Sequence, residues 1–100
     1  MGTLTYDSRL VTTLDDRVLA HLQVVIWGKL RRGEQFSFTW HDSDRSGFGR
    51  TSIWIAPTIP LTFDYFGSKP PAINPRWIDA LTKSANSPGG LQIVPEPAAP

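Results

Sequence analysis

The residues whose types and spacing could bind phosphate are the cations Lys29, Arg31 and Arg32, which stand directly before Gly33. Clustered positive charge of this kind can contact a nucleic-acid backbone. The same residues also suit the last turn of a helix, where each cation favours the negative end of the helix dipole by about 0.3–1 kcal/mol. Glycine commonly follows such a turn. Helix termination alone therefore accounts for the cluster, and phosphate binding is the alternative.

A second group with possible chemistry is His41, Asp42 and Asp44, because one imidazole and two carboxylates can hold a divalent ion. The simpler interpretation is that His41 ends a strand and that the aspartates solvate a turn. The chain has no cysteine, so it has no thiolate ligand and no thiolate chemistry. We predict no metal site and no cofactor.

The common motifs of nucleotide and acyl-transfer chemistry are missing. The lysines stand in the contexts KLR, KPP and KSA, and none matches the Lys-x-Asp-Gly motif of adenylating nucleotidyltransferases. The sequence also contains no Walker-type phosphate loop and no Gly-x-Ser-x-Gly elbow. No catalytic residue is assigned, and the residues favour a non-enzymatic protein.

The elements that must position these residues follow from hydrophobic periodicity. Residues 4–14 alternate apolar side chains with threonine around a central DSR tripeptide, which predicts a β-hairpin. Residues 15–33 carry an apolar stripe at helical spacing, which predicts a helix that ends at Gly33. Within this helix, His21 is interpreted as a packing residue.

The second half predicts three strands, a helix and a final strand. The strands are EQFSFTWH, RTSIWIAP and LTFDYF, and their closeness in sequence favours a three-stranded antiparallel meander. Asn74 and Pro75 suit a helix start, and LQIV forms a short last strand. The predicted class is α+β, with two helices on one face of a mostly antiparallel sheet. Residues 1–94 form a single domain, and residues 95–100 form a disordered proline-rich tail.

Length and composition bound the remaining possibilities. One hundred residues with 40% hydrophobic side chains and a net charge of +1 suit one small folded domain. The longest fully apolar run, VVIW, is far too short to span a bilayer, and the N-terminus lacks the pattern of a signal peptide. We expect no membrane partner and a cytoplasmic location, which the absence of cysteine also suits.

Strand alternation predicts self-association. On the second meander strand, Ile53 and Ile55 lie opposite Trp54, and on the third strand Phe66 lies opposite Tyr65. Both faces of the sheet then carry large apolar groups, whereas the helices can cover one face. We predict a homodimer whose interface contains Trp54 and Phe66. The alternative is a bent sheet that wraps its own aromatic residues in a monomer.

Nucleic-acid binding is the alternative function. The helix end and the following hairpin could bring their cations to one edge, beside tryptophans suited to base stacking. The candidate residues are Lys29, Arg31, Arg32, Arg45 and Arg50.

Three stretches together carry a resemblance: LDDRVLAHLQVVIWGKLRRGEQFSFTW, GRTSIWIAPTIPLTFDYFG and INPRWIDALTKSANSPGGLQIVPEP. They cover nearly the whole chain and resemble a family of small actinobacterial proteins of unknown function. Its members are often labelled "ATP-dependent DNA ligase". The chain is too short for a nucleotidyltransferase domain, so the label implies at most an accessory role beside a ligase. The resemblance supplies no catalytic residues.

Overall fold

The computed structural model describes residues 1–41 and 49–100, and its helices and strands occur in the predicted order. The α+β class and the N-terminal hairpin are confirmed. The elements are β1 (Gly2–Tyr6), β2 (Leu10–Leu14), α1 (Asp16–Arg31), β3 (Phe36–His41), β4 (Arg50–Ile55), β5 (Leu61–Asp64), α2 (Pro75–Ala85) and β6 (Leu91–Gln92).

The strands form two sheets, with orders β2-β1-β5 and β4-β3-β6. This pairing differs from the predicted single meander, because β5 pairs antiparallel with β1 instead of continuing from β4. The loop between β4 and β5 contains Pro57 and Pro60, which lack the N–H groups that a sheet ladder uses. The carbonyl of Pro60 accepts a hydrogen bond from the Asp7 N–H at 2.8 Å. This bond fixes the start of β5 beside the end of β1, in sheet β2-β1-β5.

The last strand, β6, is also paired in a way that the sequence did not predict. It lies parallel to β3, with Phe38 opposite Leu91 and Thr39 opposite Gln92. A parallel neighbour requires a crossover connection, and α2 lies within the segment that joins β5 to β6. Sheet β4-β3-β6 is therefore mixed, with β3 at its centre.

The turn of the hairpin is tight although it lacks glycine. Asp7 and Ser8 have φ angles of 54° and 58°, and the Arg9 N–H donates to the Tyr6 carbonyl at 3.1 Å. Two successive residues with positive φ are typical of the turns that match the twist of antiparallel strands. Aspartate tolerates this conformation better than most residues, which explains how the turn forms here.

Helix α1 ends as predicted. Gly33 has a φ of 74°, and its N–H donates to the Leu30 carbonyl at 2.9 Å. The Glu34 N–H reaches back to the Lys29 carbonyl at 3.1 Å. These two crossed bonds form a Schellman motif, which satisfies carbonyls that the helix itself leaves free.

The helices contact both sheets, rather than one face of a single sheet. Helix α1 packs on β1 and on α2, while α2 also packs on β3 and β6. Together they enclose one apolar core, whose largest fully buried side chains include Leu4, Leu19, Leu22, Ile26, Phe38, Ile55, Leu81 and Leu91. None of the helices in residues 1–41 and 49–100 is long and apolar enough to cross a bilayer.

The segment after β6 has packing partners that the sequence did not predict. The Arg17 guanidinium donates to both carboxylate oxygens of Glu96, at 2.8 and 2.6 Å. The Asn74 amide donates to Glu96 at 3.0 Å and to the Pro97 carbonyl at 2.9 Å. At least Glu96 and Pro97 of the predicted tail therefore contact the domain.

Candidate functional site

Lys29, a phosphate ligand in the alternative interpretation of the sequence, lies inside the protein with 4% of its surface exposed. Its ammonium donates to Glu34 Oε1 at 2.8 Å and to Asn86 Oδ1 at 2.5 Å. It also lies 5.4 Å from the centre of the Phe36 ring, a distance at which a cation is attracted to an aromatic face. These contacts connect α1, β3 and the end of α2, and they leave the ammonium unable to meet a phosphate group at the surface.

The other described cations of that candidate site have different surroundings. Arg32 donates to Glu34 Oε2 at 2.7 Å. Bonds from Arg32 and then from Lys29 lower the pKa of Glu34 to about 2, so its carboxylate compensates part of the local positive charge. Arg31 is exposed at the end of α1, and Arg50 is exposed at the start of β4. Arg45 lies outside the described residues.

The two histidines have different surroundings. His41 is exposed at the end of β3, while Asp42 and Asp44 lie outside the described residues. Within residues 1–41 and 49–100, no three metal-ligating side chains come together. His21 is fully buried, as its interpretation as a packing residue expects.

Both ring nitrogens of His21 are occupied. Nδ1 lies 2.7 Å from the Arg17 carbonyl, and Nε2 accepts a hydrogen bond from the Asn74 N–H at 2.9 Å. This pairing requires the neutral tautomer with the proton on Nδ1. The ring also packs against Trp77, with centroids 4.5 Å apart. His21 therefore joins α1 to the start of α2 and presents no free nitrogen for acid–base chemistry.

Trp54 stands on the outer face of sheet β4-β3-β6, as strand alternation predicts. Ile53 and Ile55 point into the core, whereas 52% of the Trp54 surface is exposed. Its indole N–H donates to Gln35 Oε1 at 3.0 Å, which restricts the ring on the sheet. We call the surface formed by Trp54, Ser37, Thr39 and Ser52 the Trp54 face.

The neighbours of Trp54 are small and uncharged. Ser37 lies directly opposite Trp54 on β3. One residue pair further along the same face, the hydroxyls of Thr39 and Ser52 hydrogen bond at 2.7 Å. The central part of this face therefore combines one large aromatic ring with a flat hydroxyl surface.

Phe66, the second predicted interface residue, is 84% exposed but belongs to another part of the fold. It follows β5, and its backbone N–H donates to Asp16 Oδ1 at 3.1 Å. Trp54, by contrast, belongs to the second sheet, and its carbonyl accepts from the Tyr6 hydroxyl at 2.6 Å. Tyr6 pairs with the first residue of β5, at the end of the strand away from Phe66. The structure does not bring Trp54 and Phe66 to one surface element.

A groove that the sequence reasoning missed runs between α1 and residues 65–73. It has a volume of about 460 Å³, and its apolar lining includes Val24, Trp27 and Ile73. Val24 and Trp27 lie three positions apart and outside the main apolar stripe of α1. This spacing places them on one helix face, and it is the signal that could have indicated a second apolar surface. We call this feature the α1 groove.

The comparisons with known proteins identify a family without assigning an activity. Residues 1–96 match a family model described as "Domain of unknown function (DUF7882)". The comparison with curated proteins and the comparison with solved structures gave no match. Because the family model covers nearly the whole chain, this protein belongs to the DUF7882 family of domains of unknown function.

Proposed function

We propose that this protein is a non-enzymatic interaction domain that forms a homodimer through the Trp54 face. The observation that carries the proposal is the exposed, oriented indole of Trp54 beside the uncharged side chains of Ser37, Thr39 and Ser52. Tryptophan is among the residues that contribute most to protein interfaces, because it buries a large area with little loss of side-chain entropy.

The charge of the Trp54 face suits a second copy of the same chain. In a two-fold dimer each surface meets itself, so any charge at the centre meets a like charge. Ser37, Thr39 and Ser52 carry no charge and have small side chains, which permits close approach of two sheets. Trp54 of each copy can then pack on the hydroxyl surface of the other copy.

Sedimentation equilibrium of the wild type and of Trp54→Glu tests this proposal. We expect a dimeric wild type of about twice 11.1 kDa and a folded, monomeric Trp54→Glu variant, because burial of an unpaired carboxylate opposes association. Val11→Glu is the matched control, since Val11 on β2 is 54% exposed and belongs to the other sheet. A monomeric wild type would contradict the proposal, as would equal dissociation of both variants.

Phe66→Glu distinguishes the Trp54 face from the end of β5. Phe66 is a predicted interface residue, but it lies on a different part of the surface from Trp54. We expect Phe66→Glu to remain dimeric. Dissociation by this substitution, with no effect of Trp54→Glu, would place the interface beside Phe66 instead.

Nucleic-acid binding is a second candidate, because Arg50 and Trp54 lie on the same face of β4, four positions apart with Ser52 between them. Single strands are bound by surfaces that combine cations with exposed aromatic rings. Gel-shift titrations with single-stranded and duplex DNA test it. Binding that weakens steeply with salt and with Arg50→Gln would support this candidate, and absence of binding at low salt would eliminate it.

The ligase label of the resembling proteins makes a separate biochemical prediction. A ligase forms a covalent adenylate on lysine, whereas no lysine here stands in the Lys-x-Asp-Gly context and Lys29 is buried in a hydrogen-bonded pair. We propose that the chain forms no adenylate with labelled ATP and magnesium. A labelled band after denaturing electrophoresis would contradict this. A cytoplasmic location stays a prediction of the sequence.

A further inference from the structure

The α1 groove is held open by hydrogen bonds between its two walls. The Asp16 carboxylate, in the first turn of α1, accepts from the backbone N–H groups of Phe66 and Gly67 at 3.1 and 2.9 Å. The Tyr65 hydroxyl donates to Gln23 Oε1 at 2.5 Å. These bonds tie the segment after β5 to the helix at two levels, so the groove is preformed.

The middle of the groove is apolar and open to solvent. Val24, Trp27 and Ile73 are each more than 40% exposed. The Trp27 ring packs edge-on against Phe63, with centroids 5.8 Å apart, which fixes its orientation. Small-ligand sites usually enclose most of their ligand, whereas the lining residues here stay well exposed. An open apolar channel of this kind suits an extended chain that lies along it.

The groove contains free hydrogen-bond donors, two of which carry positive charge. Arg31 and Lys69 line it, and neither has an ion-pair partner among the described residues. The Trp27 indole N–H likewise has no hydrogen-bond partner among residues 1–41 and 49–100. The acceptors Asp16 and Gln23 are already used by the groove walls. A ligand that carries acceptors and negative charge together with apolar groups therefore matches the free donors and the apolar lining.

We infer that the α1 groove binds an extended peptide segment of a partner protein in which acidic residues flank apolar ones. The apolar side chains of the peptide contact Val24, Trp27 and Ile73, and its backbone carbonyls accept from the Trp27 indole. Its carboxylates pair with Arg31 and Lys69. This inference goes beyond the proposed dimer, because it concerns another surface and another class of partner.

Selection from a display library of short random peptides tests the inference. The full-length wild-type protein is the target, and a fresh selection is made on Val24→Glu, which places a carboxylate in the groove. Val11→Glu is the matched control, because it changes another exposed valine, on β2. We expect acidic–apolar peptides to be enriched on the wild type and on Val11→Glu. On Val24→Glu their affinity falls by about tenfold or more, because an apolar contact is lost and like charges repel.

Charge reversal supplies the second arm. Arg31 and Lys69 are exposed, so the double variant Arg31→Glu with Lys69→Glu keeps its core unchanged. We expect selection on this variant to enrich basic–apolar peptides in place of acidic ones. The inference is overturned if no peptide is enriched, or if the same acidic peptides bind the Val24→Glu variant equally well. Displacement of the peptide by decanoate or by oligo(dT) would likewise overturn it and assign the groove to an amphiphile or a single strand.

Discussion

Two glycines with nearly the same backbone conformation should differ strongly in their tolerance of alanine. Gly33 has a φ of 74° and Gly90 a φ of 79°. A Cβ at Gly33 would have no atom within 4 Å, because this residue lies at the exposed end of α1. A Cβ at Gly90 would overlap Ser37 Oγ and lie 2.9 Å from the Ser37 carbonyl oxygen. Alanine at position 33 therefore causes only the backbone strain of a positive φ angle. Alanine at position 90 causes the same strain and also a steric clash with Ser37.

The expected magnitudes follow from these two terms. An alanine with positive φ costs about 1–2 kcal/mol in the folded state. Reduced freedom of the unfolded chain offsets roughly 0.4–1 kcal/mol of this. Gly33→Ala should therefore lower the free energy of unfolding by about 0–1.6 kcal/mol. Gly90→Ala adds overpacking against the β3 backbone, which costs about 1–3 kcal/mol more.

Urea denaturation of the two variants and the wild type measures this difference. Because about 1 kcal/mol shifts the melting temperature of a domain this size by roughly 4–8 °C, thermal melting gives an independent reading. Gly90 directly precedes β6, so the reasoning depends on β6 packing beside Ser37 of β3. Equal stability of Gly33→Ala and Gly90→Ala would refute that placement of β6.

Three further predictions concern the ion pairs. Deletion of residues 95–100 should lower the melting temperature by a few degrees, because Arg17 loses Glu96; an unchanged value would show that the segment does not dock in solution. Partners hold the pKa of Glu34 and of Glu96 at about 2, below the ordinary 4.5, so the unfolded chain binds protons first as pH falls. The free energy of unfolding should therefore decrease between about pH 4.5 and pH 2, and the double variant with glutamine at both positions should show a flatter pH dependence in denaturant titrations. Lys29→Met should unfold at higher urea concentration than Lys29→Ala, since methionine keeps the packed stem of the side chain; the reverse order would contradict the burial of Lys29.

Local structure was predictable from the sequence because its signals lie within a few residues of one another. The helix start at Asn74 is an example: its side chain accepts from the Arg76 N–H at 3.0 Å, and Pro75 occupies the first helical position. The end of α1 at Gly33 is likewise local, because the Gly33 N–H donates to Leu30 and the Glu34 N–H donates to Lys29. Such motifs need no knowledge of distant partners.

The pairing of the strands and the burial of Lys29 could not be predicted from local signals. The alternation of β5 indicates a half-buried strand, but it does not indicate that β1 is its neighbour. The sequence placed Lys29 in a basic helix end, with phosphate binding as the alternative, and neither interpretation indicates that it is buried. Its burial depends on Asn86, which lies 57 residues later, and therefore on how α1 and α2 pack.

Of the two candidate surfaces, the sequence indicates the Trp54 face but not the α1 groove. The exposure of Trp54 follows from strand alternation with the core residues Ile53 and Ile55. The α1 groove requires the segment after β5 to lie beside Val24 and Trp27, and long-range contacts to Asp16 place it there. Surfaces made by one element are readable from sequence, whereas grooves between elements require the fold.

The most direct test of the proposed dimer is isotope-filtered NOE spectroscopy on a mixture of labelled and unlabelled protein. This measurement detects contacts between copies and identifies the residues that make them. We predict intermolecular NOEs from the Trp54 indole protons to the Thr39 methyl group of the other copy. Intermolecular NOEs should be measured at a protein concentration at which sedimentation equilibrium shows only dimer. Their absence there, or NOEs that arise from Phe66 or Val24 instead, would contradict the proposal that the Trp54 face is the interface.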